Sequence, residues 1–89
     1  MRGPHAHRRT EQIFINIRGK ATYFLDNGIE KKNLILDKPN NGIYIGPKVW
    51  HYIKEFSSDI IILVVASTPY NEADYIRNYD DFMKYIQHV

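Results

Sequence analysis

The sequence predicts an all-β fold, a barrel or sandwich, that ends in one or two short helices. Short apolar segments recur along most of the 89 residues, and glycine, proline and asparagine separate them. Regularly spaced short strands between such turn residues are typical of β-sandwiches and barrels. From residue 71 onward the pattern changes, because aromatic residues recur at near-helical spacing. No linker or repeat interrupts the chain, so we expect a single domain over residues 1–89.

The predicted strands follow one another from Gln12 onward. Apolar residues after Gln12 alternate with a period of two, which indicates a strand rather than a helix. A turn is predicted at residues 18–20, and the Asn27-Gly28 dipeptide favours a tight hairpin with positive φ. We therefore expect a succession of hairpins, with further strands at residues 21–25, 34–36, 43–45 and 49–56.

The apolar run at residues 60–66 has β-branched side chains on both faces, which predicts a central strand covered on both sides. After it, Asn71 can cap a helix whose first turn carries Glu72 and Asp74. The packed face of that tail helix is predicted to carry Tyr75, Tyr79 and Tyr85.

Composition and charge argue against several classes of protein. The net charge is only +2, and the lysines and arginines are scattered among the aspartates and glutamates. We therefore expect neither nucleic-acid nor membrane binding. The absence of cysteine and the lack of a signal-peptide pattern favour a cytoplasmic location. The run at residues 60–66 is too short to span a bilayer. A chain this short buries a modest fraction of its surface, so we expect it to form an oligomer.

Two histidines near the amino terminus form the first candidate site. His5 and His7 are separated by one residue, so on an extended segment both side chains point to the same face. Imidazole titrates near neutral pH and is also the commonest metal ligand. The residues alone therefore leave proton transfer and metal binding both open.

The spacing from His5 and His7 to Gln12 and then Gly19 resembles the first motif of the cupin jelly rolls. In that motif two histidines and a glutamate commonly bind a metal, and Gln12 stands at the glutamate position. Glutamine is a neutral, weak ligand, so the set is a poor match to the usual metal sites.

The segment at residues 46–52 resembles the second cupin motif, in which a histidine ligand follows a proline and a glycine. Tyr52 stands at that ligand position, and His51 precedes it by one residue. A shift of one residue on a strand turns a side chain to the other face unless a bulge intervenes. We therefore expect His51 to be a surface or interface residue, and we expect no bound metal and no cofactor.

A set of longer strings extends over nearly the whole chain. The strings are Arg2-Gly3-x-His5-Ala6-His7, Gln12, Leu25-Asp26-x-Gly28, Pro47-x-x-Trp50, Phe56-Ser57-x-Asp59, Ala66-Ser67 and Tyr70-x-x-x-Asp74-Tyr75-Ile76-Arg77-x-Tyr79-Asp80-x-Phe82. Together they resemble the sugar-nucleotide 3,4-ketoisomerases that act on dTDP-4-dehydro-6-deoxyglucose. The resemblance implies a cupin-like jelly roll and a metal-independent homodimer that makes keto-sugar precursors of bacterial surface polysaccharides. Family members usually carry further strands ahead of the first string, so we expect the domain to be N-terminally incomplete.

The resemblance also implies that His5 and His7 are the acid/base groups. Moving a ketone from carbon 4 to carbon 3 of a hexose requires removal of a proton from carbon 3 and return of a proton to carbon 4. A base with a pKa near neutral suits this task. His5 is expected to move the carbon-bound proton, and His7 to move the hydroxyl proton or to stabilise the enediolate, although the two roles could be exchanged.

Four further residues are candidates for binding the dTDP-linked keto-sugar. Arg2 could hold a diphosphate oxygen, and Gln12 could fix an imidazole tautomer or bind a sugar hydroxyl. Trp50 could stack on thymine, although packing in a barrel wall is the simpler interpretation. Tyr70 could donate a proton.

Three other functions stay open from the sequence. A related dTDP-sugar epimerase would use the same fold and a histidine base but would invert carbons 3 and 5. A metal-dependent cupin enzyme would use the two histidines as ligands. A non-catalytic sugar-nucleotide-binding remnant would bind the ligand without turnover.

Overall fold

A computed structural model describes residues 3–87 of the chain. Its strands are β1 (Ala6–His7), β2 (Gln12–Arg18), β3 (Ala21–Asp26), β4 (Lys31–Leu36), β5 (Gly42–Ile45), β6 (Trp50–Phe56), β7 (Ile61–Ala66) and β8 (Tyr75–Ile76). A 3-10 helix spans Glu72–Asp74, and the helix α1 spans Tyr79–Gln87. The predicted all-β architecture with a helical tail is confirmed. Among residues 3–87, no helix has the length and apolarity needed to cross a membrane.

Two antiparallel three-stranded sheets form the body of the fold. One has the strand order β5-β2-β7 and the other β4-β3-β6. They pack face to face, which is the arrangement of a β-sandwich. The core between them consists of Phe14, Ala21, Tyr23, Leu25, Leu36, Ile43 and Ile45.

A small third sheet closes one end of the sandwich. It pairs β1 with β8, with Ala6 opposite Ile76 and His7 opposite Tyr75. Below it lies a second core cluster that contains Ala6, Trp50, Ile76 and Phe82. Phe82 of α1 is fully buried there, so this cluster attaches the tail to the first strand.

Only part of the predicted succession of hairpins is correct. β3 and β4 form the hairpin expected around Gly28, which has a φ of +91°. The turn at residues 18–20 instead connects β2 and β3, which belong to different sheets. Gly19 has a φ of +83° there, and a Cβ would lie 2.5 Å from Ser57 Oγ, so the turn depends on glycine.

The prediction that the run at residues 60–66 forms a central strand is wrong. Among residues 3–87, β7 pairs with β2 alone and lies at the edge of its sheet. Leu63, Val64 and Val65 are exposed, so side chains on both faces of the strand lack a covering layer in this part of the chain. A continuous apolar run therefore does not by itself place a strand in the middle of a sheet.

The tail is also attached by a polar contact. The Tyr79 hydroxyl donates a hydrogen bond of 2.7 Å to Oδ2 of Asp26, and the Gly28 N–H donates one of 2.8 Å to Oδ1. Asp26 is buried, and these two hydrogen bonds give each of its carboxylate oxygens a partner within the protein, as a buried polar group requires. The contact raises the pKa of Tyr79, because the Asp26 carboxylate favours the protonated phenol.

We predict that Tyr79→Phe lowers the free energy of unfolding by about 1 kcal/mol, because it leaves one oxygen of a buried carboxylate without its partner. Urea denaturation gives this value. Tyr70→Phe is the matched control, since it removes an exposed hydrogen bond to Glu72 and should cost little. Equal losses in the two variants would contradict the role of Asp26.

Candidate active site

Residues 5–7 run as an extended segment between β6 and β8. His5 and His51 exchange backbone hydrogen bonds of 3.2 and 2.9 Å, and His7 lies opposite Tyr75. Because side chains alternate along a strand, His5 and His7 point to one side while Ala6 points into the second core cluster. The rings of the two histidines are 5.1 Å apart between centroids. The common face expected from their spacing is present in the structure.

A third imidazole joins the pair. The ring centroid of His51 lies 4.5 Å from that of His5 and 6.1 Å from that of His7. The prediction that His51 is a surface or interface residue is wrong, because its exposed fraction is 3%. The antiparallel bridge explains this, since directly opposed residues on neighbouring strands share a face. β6 also carries a register shift opposite Thr22 and Tyr23, a bulge of the kind that re-aims side chains.

The three imidazoles are oriented by hydrogen bonds at Nδ1. That atom lies 3.1 Å from the Gly3 carbonyl oxygen in His5 and 3.0 Å from the Val49 carbonyl oxygen in His51. In His7 it lies 2.8 Å from Oδ2 of Asp74. These acceptors assign the hydrogen to Nδ1 and leave Nε2 as the basic nitrogen. Among residues 3–87, the buried Nε2 atoms of His7 and His51 have no hydrogen-bond partner.

The charge states at the site follow from burial and hydrogen bonding. Burial lowers the pKa of His51 to about 4, so this imidazole is neutral at pH 7. Burial alone would raise the pKa of Asp74, but hydrogen bonds from Thr10, His7 and the Arg9 N–H lower it on balance. The site therefore places a neutral imidazole next to His5 and a carboxylate next to His7.

The histidines open into a cavity of about 470 Å³ between the sheets and the tail. The ring of Tyr75 packs against His7 at 4.5 Å and against His5 at 5.2 Å. Polar residues are concentrated at this end of the interior. The polar and aromatic lining consists of His5, His7, Thr10, Gln12, Phe14, His51, Tyr52, Thr68, Tyr70, Asn71 and Tyr75.

Of the four residues predicted to bind substrate, two line the cavity, one packs in the core and one lies outside the described residues. Gln12 lines the cavity, and its buried Oε1 lacks a hydrogen-bond partner among residues 3–87. Tyr70 lines the rim and donates a hydrogen bond from its hydroxyl to Glu72. The predicted role of Trp50 in binding substrate is not supported, because alternation along β6 turns its ring away from His51 into the second core cluster. Arg2 lies outside the described residues.

Three residues of the site were not identified from the sequence as part of it. They are His51, Asp74 and Tyr75. The helical turn predicted after Asn71 is confirmed as a 3-10 helix, with Glu72 and Asp74 in its first turn. Tyr75 was assigned to the packed face of the tail helix, but it belongs to β8. Asp74 and Tyr75 reach the histidines because β8 pairs with β1. The one available signal was that both residues fall within the longest family-like string.

The histidine cluster is also suited to a metal ion. One nitrogen from each of His5, His7 and His51 lies within 4.8 Å of the others, and three-histidine sets occur in catalytic zinc sites. Metal-binding histidines usually donate from their second nitrogen to a carbonyl or carboxylate, as these do at Nδ1. The sequence argument against a metal placed His51 on the wrong face, so the expected absence of a metal stays a prediction.

Comparison with protein families matches residues 1–87 to the family described as FdtA: WxcM-like, C-terminal. The chain belongs to this family. It is 46% identical over 88 residues to a TDP-4-oxo-6-deoxy-alpha-D-glucose-3,4-oxoisomerase of Aneurinibacillus thermoaerophilus, and the match covers 99% of this chain and 63% of that protein. The resemblance drawn from the sequence strings is thus confirmed.

Solved structures agree with this assignment. A 3,4-ketoisomerase from Helicobacter canadensis aligns with a TM-score of 0.91 and 41% identity, over 97% of this chain and 65% of that one. A variant of the 3,4-ketoisomerase QdtA of Thermoanaerobacterium thermosaccharolyticum, solved in complex with TDP-4-keto-6-deoxyglucose, aligns with a TM-score of 0.92 and 37% identity, over 98% and 63%. The predicted cupin-like jelly roll is confirmed. The chain spans less than two thirds of the length of these relatives.

We predict that NMR titration will find His51 neutral down to about pH 4, because burial disfavours its charged form. The unfolded chain takes up this proton near pH 6.5, so the free energy of unfolding should fall as the pH is lowered from 6.5 toward 4. Replacement of His51 by glutamine identifies the resonance and should remove this part of the pH dependence. A His51 signal that titrates near pH 6.5 would contradict the described environment.

Proposed function

We propose that residues 1–89 form a single cupin-like domain that carries the acid/base site of a sugar-nucleotide 3,4-ketoisomerase. The substrate is a dTDP-linked 4-keto-6-deoxyhexose, and the product is a precursor of bacterial surface polysaccharide made in the cytoplasm. The observation that carries the proposal is the convergence of three buried imidazoles on one cavity. The relatives' activity and the TDP-4-keto-6-deoxyglucose bound to one of them support this substrate class.

The reaction needs two proton movements that balance each other. The hydrogen on carbon 3 moves to carbon 4, and the proton of the carbon-3 hydroxyl moves to the oxygen on carbon 4. We assign the carbon-bound proton to His5 and the hydroxyl proton to His7. Their ring separation of 5.1 Å allows both to contact adjacent atoms of one sugar. The intermediate between the two movements is an enediol.

Neighbouring side chains can orient the sugar without exchanging protons with it. His51 is neutral at pH 7, and its Nε2 can accept a hydrogen bond from a sugar hydroxyl. The amide of Gln12 can bind a second hydroxyl or carbonyl oxygen from the other side of the cavity. Arg2, the first residue of the first string, is the proposed contact for a diphosphate oxygen. Tyr70 at the rim is instead a proposed proton donor. Such contacts hold the sugar in position for the proton transfers.

A metal-dependent enzyme is the second candidate, and the three-histidine cluster is the observation that favours it. His5, His7 and His51 would hold the ion, which would polarise a substrate oxygen as a Lewis acid. We predict, however, that the purified protein contains no stoichiometric transition metal, because Gln12 replaces the carboxylate ligand of the cupin motif. Elemental analysis tests this. One tightly held zinc, iron or manganese per chain would favour the metal-dependent enzyme.

We predict that His5→Asn and His7→Asn each lower turnover of dTDP-4-keto-6-deoxyglucose by roughly 10²- to 10⁴-fold, because an amide cannot take up a proton near neutral pH. NMR detects the product and the incorporation of solvent deuterium at carbons 3 and 4. Asp80→Asn, which alters an exposed side chain in the first turn of α1 outside the cavity, is the control and should turn over at the parent rate.

Three outcomes would contradict the proposal. Deuterium incorporation at the parent rate in both histidine variants would exclude the acid/base assignment. A product inverted at carbons 3 and 5 would identify the related epimerase. Binding of the sugar nucleotide without any turnover by the parent chain would identify a non-catalytic remnant.

We infer further that the chain forms a homodimer through the outer face of the β5-β2-β7 sheet. Antiparallel pairing places Ile13 of β2 beside Tyr44 and Val65 on this face. All three side chains are exposed, as is Leu63. An apolar sheet face of this kind favours association with another chain.

We predict a dimer in sedimentation analysis of the parent at micromolar concentration, and weakened association after Val65→Lys, because the charge would have to be buried in the interface. Ile35→Lys introduces the same charge on the other sheet and serves as the control. A compact parent monomer that unfolds cooperatively would rule out this interface.

A further inference from the structure

We propose that Asp74 is a positioning residue for His7. Its carboxylate holds the hydrogen of the His7 ring on Nδ1 and leaves Nε2 as the atom that exchanges protons with the sugar. The inference rests on the proposed function, because it gives His7 a defined role in that reaction. It concerns a residue that does not itself line the cavity.

The contact between the two side chains is short and shielded from solvent. Oδ2 of Asp74 lies 2.8 Å from Nδ1 of His7, and the side chains of His7 and Asp74 are 4% and 12% exposed. The other carboxylate oxygen accepts a hydrogen bond of 2.8 Å from the Arg9 N–H. Both oxygens of Asp74 thus accept hydrogen bonds from the segment that carries His7, and these bonds fix the orientation of the carboxylate.

The backbone around Asp74 is held in place as well. Its N–H donates to the Asn71 carbonyl at 3.0 Å, and its own carbonyl accepts from the Arg8 N–H at 2.8 Å. The guanidinium of Arg8 donates to the carbonyls of Ala73 and Tyr75 at 2.8 and 2.7 Å. These contacts join the 3-10 helix to the segment beside β1. Preorganisation of this kind is what a catalytic imidazole requires of its supporting groups.

At Nδ1, His7 has a different kind of hydrogen-bond acceptor from His5 and His51. The Nδ1 atoms of His5 and His51 face backbone carbonyls, whereas that of His7 faces a carboxylate. A carbonyl fixes the tautomer, but a carboxylate also stabilises the imidazolium that forms when Nε2 takes up a proton. The contact with Asp74 therefore leaves Nε2 of His7 as the nitrogen that can exchange a proton with the sugar. The proton that His7 takes from the carbon-3 hydroxyl is then returned to the oxygen on carbon 4.

The test is Asp74→Asn, with turnover and ¹⁵N NMR of labelled histidine measured on the same protein. In the parent we expect His7 to show a protonated Nδ1 and an unprotonated Nε2. In the variant we expect a second tautomer with the hydrogen on Nε2, because the asparagine amide can donate to Nδ1. The expected fall in kcat is roughly 10²- to 10⁴-fold with KM nearly unchanged, since the lost stabilisation acts on the protonated imidazole.

Two further variants separate positioning from a purely structural effect. Asp74→Glu keeps the carboxylate and should retain the Nδ1–H tautomer and more turnover than Asp74→Asn. Asp80→Asn makes the same chemical change at an exposed position in the first turn of α1 and should alter neither readout. Circular dichroism of each variant reports whether the fold is kept.

The outcomes distinguish this inference from the proposed function. A parent protein in which His7 carries its hydrogen on Nε2 would overturn the inference, whether or not any variant folds. Unchanged tautomer and unchanged kcat in folded Asp74→Asn would do the same. If the parent has no turnover while Asp74→Asn still shifts the tautomer, the proposed function fails and the positioning by Asp74 stands.

Discussion

The pairing of residues 5–7 between β6 and β8 is the constraint on which the site depends. Because strand side chains alternate, this pairing turns His5 and His7 toward the cavity and Ala6 toward the second core cluster. The same rule applied to β6 places His51 with the histidines and Trp50 with the cluster. One short ladder therefore fixes three imidazoles and the packing beneath them.

The polar interior around these imidazoles offers hydrogen-bonding atoms to a ligand. The Nε2 atoms of His7 and His51 and the Oε1 atom of Gln12 are buried without hydrogen-bond partners among residues 3–87. Burial keeps His51 neutral at pH 7, so its Nε2 remains a hydrogen-bond acceptor. The hydroxyls and carbonyl of a sugar are groups that can supply the missing partners.

Local patterns allowed correct prediction of many elements but not of their partners. The alternation after Gln12 and the Asn27-Gly28 dipeptide correctly indicated β2 and the hairpin of β3 and β4. Alternation does not say which face is buried, and in β2 Phe14 lies in the core while Ile13 and Ile17 are exposed. The edge position of β7 depends on which strands lie beside it, which its own composition does not encode. Sheet order is a long-range property, so it was the weakest part of the sequence prediction.

The site shows the same division between local and long-range information. The common face of His5 and His7 follows from a spacing of two residues, so it could be predicted. His51 required the register between two strands, and Asp74 is 67 positions away from the His7 ring that it contacts. Tyr75 reaches the histidines only because β8 pairs with β1. Assembly of the site therefore requires the tail to dock on the first strand, which couples the stability of that contact to the chemistry of the cavity.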